Sequence, residues 1–149
     1  MEIKRTLIKV LSFLKRLLTG VMVILITTIA IVNKPHRVGK TNYYLRWYDD
    51  ERCLVYKGPK HSWLSASVSC NDVYYNDNYI LAYDILRNVY VIQRIAKNQQ
   101  EFESRDKLFI KDSVSFYNAL DSLNIDRRSL NYSKAINTNN PQRFILKYY

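Results

Sequence analysis

The longest uninterrupted apolar stretch runs from Leu17 to Val32, sixteen residues without a charge and diluted only by Gly20 and three Thr. A straight helix of that length spans about 24 Å, a little short of a ~30 Å hydrocarbon core. Lys15 and Arg16 at one end and Lys34 at the other are placed to extend it by reaching for the headgroups. Upstream, Ile3, Leu7, Ile8, Leu11, Leu14 and Leu18 recur at helical spacing with Lys4, Arg5, Lys9, Lys15 and Arg16 between them, a cationic amphipathic pattern suited to an anionic leaflet. Two other readings compete with a membrane anchor. A cleaved signal peptide finds only a loose small-residue site at Thr28-Ile-Ala30. A buried core helix calls for one apolar stripe, whereas this run is apolar all round. A transmembrane anchor over residues 17–32 is the expectation.

After a short linker at residues 33–42, holding Pro35 and Gly39, the period changes from helical to alternating. Tyr43-Tyr-Leu-Arg-Trp-Tyr48 and Arg52-Cys-Leu-Val-Tyr-Lys57 flank the acidic turn Asp49-Asp-Glu51 and read as a hairpin, broken by Gly58-Pro-Lys-His61. Ser65, Ser67 and Ser69 then alternate with Ala66, Val68 and Cys70, one face wet and one buried, as in an antiparallel sheet. Val73-Tyr-Tyr75 and Tyr79-Ile-Leu-Ala-Tyr83 form a second hairpin around Asn76-Asp-Asn78, and Asn88-Val-Tyr-Val-Ile-Gln93 follows as the next strand of a meander.

Residues 97–107 are polar apart from Phe102 and read as a loop or short helix, with Leu108-Phe-Ile110 a short apolar run after them. Asp112 can cap a helix reaching Leu123, with Val114, Tyr117, Leu120 and Leu123 on one face and Asn124 as its stop. The fold class that emerges is α+β: an N-terminal transmembrane helix, then a small antiparallel sheet of about five strands with one C-terminal helix packed on it. The organisation is a cationic N-region (1–16), the anchor (17–32), the linker (33–42), an extracytoplasmic domain (43–126) and a basic tail (127–149) in which Phe144-Ile-Leu146 could add an edge strand.

The net charge of +10 is unevenly spread. Residues 1–40 carry eight basic side chains and one acid, residues 41–126 ten basic and twelve acidic, and residues 127–149 five basic and none acidic. A nearly neutral middle argues against a nucleic-acid partner for the folded domain. Five Lys/Arg precede the apolar run and three lie between it and Thr41, which places the N-terminus in the cytoplasm and the domain outside. With 3 Gly in the whole chain, the composition argues against glycine-rich phosphate loops and glycine-built hairpin turns, whereas 13 Tyr suit half-buried strands.

Candidate chemistry is thin. Cys53 and Cys70 both fall on strands and in an oxidising compartment are candidates for a disulfide, the alternative being two buried thiols. His36, Cys53, His61 and Cys70 match no zinc spacing, and a Cys–His nucleophile would need two of them in contact with an orienting group. The acidic turn at 49–51 is a solvated turn before it is a cation site. No catalytic, cofactor-binding or metal-binding residue is assigned, and no cofactor is expected. The tyrosine- and tryptophan-rich stretch from 43 to 90 divides between core packing and a recognition surface, for which Tyr43, Trp47, Trp63, Tyr75 and Tyr79 are the candidate partner-binding aromatics. The basic tail reads as solvated, with anionic lipid or nucleic acid as its alternative ligands.

The segments 73–82 and 88–93, with Glu101-Phe and Leu108-Phe-Ile110 beyond them, resemble an uncharacterised family of small exported or membrane-anchored bacterial proteins over residues 43–110. The chain departs from that pattern in having a plain apolar anchor where the family carries a lipidated Cys. The resemblance implies an anchored bacterial envelope protein and carries no activity or catalytic residue with it. The expected function is a single-pass, non-enzymatic inner-membrane protein that binds a protein partner through an aromatic-rich sheet. Alternatives are an immunity-type protein neutralising a toxin at the membrane, and an envelope hydrolase.

Overall fold

A computed structural model describes residues 2–48, 51–104 and 107–135. The chain divides into two compact units, Met1–Lys34 and Pro35–Tyr149, each with its own internal contacts.

The first unit is one continuous helix, α1 (Glu2–Val32). Its Val10–Ile31 portion, 22 residues with mean hydropathy 1.9, is long and apolar enough to cross a membrane. At 1.5 Å per residue that portion measures about 33 Å, so the span starts earlier than the sixteen uncharged residues suggest and takes in Lys15 and Arg16. The three threonine hydroxyls inside it are satisfied within the helix: Thr19, Thr27 and Thr28 donate to the carbonyls of Lys15, Val23 and Ile24 one turn back. Such pairing removes the penalty for an unbonded hydroxyl in lipid.

The second unit has three layers. Sheet A joins β1 (His36–Arg37), β2 (Tyr43–Tyr48), β3 (Glu51–Lys57) and β4 (Trp63–Ser69) in that spatial order. Sheet B runs β8 (Lys107–Ile110), β7 (Val89–Arg94), β6 (Tyr79–Asp84), β5 (Asp72–Tyr75) and β9 (Asn131–Lys134) across its width. Every pairing is antiparallel. Two short helices complete it: α2 (Gln99–Glu103), capped by the Asn98 side chain, and α3 (Ser113–Ser122), capped by Asp112. The α+β class with an apolar N-terminal helix is therefore what the sequence indicates, but the strands form two sheets where a single sheet was expected.

Strand alternation explains the layering. Tyr43, Leu45, Leu54, Tyr56, Ala66 and Val68 from sheet A meet Val73, Ile80, Ala82, Val89 and Val91 from sheet B in one core. The intervening residues of sheet B, Tyr74, Leu81 and Ile92, turn to the other face and pack on Phe116 and Leu120 of α3 and on Ile125. Each fully buried aliphatic side chain contributes roughly 1.5–3 kcal/mol.

Several local expectations meet their counterparts. The hairpin β2–β3 pairs Tyr43 with Tyr56 and Tyr48 with Glu51. In the turn between β5 and β6, Asn76 Oδ1 accepts from the Asn78 and Tyr79 amides, doing with a side chain what glycine does elsewhere. Asn124 at φ 51° ends α3, with the Ile125 amide donating to the Leu120 carbonyl.

Others are corrected. Leu120 is buried and Tyr117 and Leu123 pack beside it as expected, but Val114 is 68% exposed and its place on the buried face is taken by Phe116, whose ring stacks on Tyr90 at 4.7 Å. The linker at 33–42 is partly folded, since β1 pairs with β2 and Val38 is fully buried. The first part of the basic tail is likewise structured, as β9 pairs with β5. The edge strand expected at Phe144-Ile-Leu146 lies outside the described residues.

Candidate partner-binding surface

The register of sheet A brings together residues that are distant in sequence. β2 pairs with β3 so that Tyr44 faces Val55 and Arg46 faces Cys53, and β3 pairs with β4 so that Lys57 faces Trp63 and Val55 faces Ser65. These all lie on the face of sheet A turned away from the core, because their neighbours Leu45, Leu54 and Tyr56 point inward.

On that outer face the long side chains form a cluster. Tyr44 and Trp63 meet edge to face, centroids 5.2 Å apart at 88°. The Arg46 guanidinium lies 4.7 Å from the Trp63 ring centre, and Lys57 Nζ lies 5.7 Å from Trp63 and 6.0 Å from Tyr44. Beneath these side chains the face is closed, with Val55 fully buried and Cys53 and Ser69 buried beside it. Contacts of this kind are worth about 0.5–1 kcal/mol each when exposed. They hold two cations over two rings and leave both charges at the surface.

Trp63 also stands at the mouth of a groove of about 780 Å³. Among the described residues β4 is the last strand of sheet A, whereas sheet B continues to β8, so no described strand lies above the inner face of β8. The groove floor is Val89, Phe102 and Phe109, the last 49% exposed, and Leu64 and Ser65 form the wall. At its far end two cations cross from sheet B to β4: Lys107 donates to the Ala66 carbonyl, and Arg87 donates to the Ser67 carbonyl while paired with Asp84 at 2.6 Å. They reach those carbonyls because β4 bulges there. The register jumps between Leu54 and Val55, leaving Ala66 and Ser67 without partners in β3, and Ser67 takes φ 54°.

The five aromatics expected to form a recognition surface do not come together. Tyr43 is a correction: it is fully buried, with its hydroxyl accepting from Gln93 Nε2 at 3.0 Å and from the Ala96 amide at 3.3 Å, and its ring against Tyr56 and Phe102. Desolvation pushes its phenol up to about 12. Tyr75 is half-buried against the inter-sheet core and lies where any side chain at Gly39 would collide with it. Tyr79 is half-buried on the α3 side of sheet B. Trp47 is 42% exposed, with the Arg52 guanidinium 5.3 Å from its ring, in line with the inward-facing residues of β2. Of the five, only Trp63 belongs to the outer cluster. Arg46, Lys57, Arg87, Lys107 and Phe109 escape sequence reasoning, since nothing short of the strand register shows that Lys57 lies opposite Trp63.

The proposed bridge is also corrected: Cys53 and Cys70 are present as buried thiols. Cys53 faces Arg46 and Ser69, and Cys70 lies in the inter-sheet core with Leu54 and Val68, so the two point to opposite faces of sheet A. Burial, reinforced by Asp72, raises the Cys70 thiol far above its ordinary range and makes it a poor nucleophile. His36 is half-buried on β1, and Asp49 and Asp50 lie outside the described residues. Among the described residues, no group of three or more His, Cys, Asp or Glu is placed to hold a metal ion.

No family model, curated protein or solved structure matches this chain. The site's geometry combines cations held over aromatic rings with a neighbouring groove floored by apolar side chains.

Proposed function

We propose that this protein is a single-pass, non-enzymatic protein of the bacterial inner membrane that holds its two-sheet domain outside the cytoplasm and binds an acidic protein partner through the outer face of sheet A. The observation that carries this reading is the cluster of Tyr44, Arg46, Lys57 and Trp63, where two cations are held over two rings on the face of sheet A turned away from the core. Interfaces concentrate Trp, Tyr and Arg, and a positive patch on a nearly neutral domain selects a partner of opposite sign. The apolar span Val10–Ile31 supports the anchor, the five Lys/Arg before Leu17 against three between Val32 and Thr41 support its orientation, and the resemblance over residues 43–110 supports the envelope setting.

The test places a photo-crosslinking amino acid at position 44 of the full chain in cells. A protein adduct that disappears in the Arg46→Glu/Lys57→Glu variant is expected. Adducts to lipid alone, or protein adducts indifferent to charge reversal, would sink the reading. A reporter that works only in the cytoplasm should be silent when fused to the C-terminus; activity there reverses the orientation.

A further inference from the structure

We propose that the open edge of β4 receives an extended segment of the partner as a fifth strand of sheet A, and that this segment alternates apolar with acidic residues. The proposal rests on the protein-partner reading above and names how that partner is held.

The edge is competent for pairing over a short stretch. The Lys57 amide donates to the Asn42 carbonyl, so the backbone groups of Lys57, and of Val55 two residues before it, point towards β2. Their cross-strand partners in β4, Trp63 and Ser65, therefore turn their own N–H and C=O groups away from β3, into the groove. Beyond Ser65 the edge is closed. Lys107 and Arg87 cap the Ala66 and Ser67 carbonyls, and the Ile85 amide caps that of Ser69.

A strand laid beside Trp63 and Ser65 presents alternate side chains to two environments. One set enters the groove beside Leu64 and covers the half-exposed Phe109, which no strand of sheet A shields among the described residues. The other set emerges on the outer face next to Trp63, where Arg46 and Lys57 wait. The first environment takes Val, Ile or Leu, and the second takes Glu or Asp. The occupant is thus fixed by charge complementarity above the sheet and apolar cover below it.

The test uses the full chain in nanodiscs of zwitterionic lipid and a fluorescent peptide of alternating Val and Glu. Binding is expected to weaken about tenfold or more when Val and Glu are regrouped into two blocks, and likewise when the peptide amides facing β4 are N-methylated but not when the opposite set is. Ser65→Pro, which deletes an N–H turned away from β3, should cost a similar factor. Equal binding of alternating and blocked peptides, or indifference to N-methylation, overturns strand addition without requiring any protein variant. A dimer that forms without peptide and is lost in Ser65→Pro would assign the edge to a second copy and overturn it too. If Arg46→Glu/Lys57→Glu abolishes crosslinking in cells while Ser65→Pro and N-methylation do nothing, the partner reading survives and this one fails.

Discussion

At the scale of single residues, the buried phenol of Tyr43 has the clearest measurable consequence. Its hydroxyl accepts two hydrogen bonds within the inter-sheet core, and desolvation raises its pKa from the ordinary 10.0 to about 12. A group whose pKa is higher in the folded state keeps its proton there after the unfolded chain has lost it. Its contribution is therefore fully present below pH 10 and drains away as pH climbs towards 12. In Tyr43→Phe the stability lost over that interval should shrink relative to the native chain, as read by urea midpoints at a series of alkaline pH values. The same variant should cost roughly 1–3 kcal/mol at neutral pH, because the Gln93 and Ala96 donors lose their acceptor. An unchanged alkaline slope would mean that the hydroxyl titrates like an exposed one.

At the scale of elements, α3 and the strands differ in how much the sequence discloses. Alternation made Ala66, Val68 and Cys70 legible as one buried set, and all three lie in the inter-sheet core. The meander of β5, β6 and β7 was equally readable, since each turn announces itself with Asn or Asp. Which sheet a strand joins was not, because that depends on contacts between segments far apart: β9 closes sheet B only by reaching back to β5. The same holds for the candidate surface, where Trp63 could be picked out as an aromatic but its cations could not. On α3 the cap at Asp112 was legible, whereas the burial of Phe116 depended on Tyr90 arriving from β7. Because Phe116 is fully buried, Phe116→Ala should cost about 3–5 kcal/mol. Hydrogen exchange should show α3 and the end of β7 losing protection while β2 and β3 keep theirs. Uniform loss across both sheets would show that α3 is not a separable layer.

At the scale of the whole molecule, the expected behaviour is that of an integral membrane protein. The full chain should stay with the membrane pellet through an alkaline carbonate wash. Val23→Asp combined with Ile24→Asp should release it, since each acidic residue mid-span costs about 2.5–3.5 kcal/mol on insertion scales. Recovery of the native chain in the soluble fraction would remove the anchor. Crowding on a lipid plane also exposes open sheet edges to like neighbours, the usual first step towards fibrils. The two residues that bulge out of β4, together with the lysine and arginine that fasten their carbonyls, leave too little straight edge for copies to stack without end. At the β4 edge, the irregularity at Ala66 and Ser67 thus confines any further pairing to one short stretch of backbone.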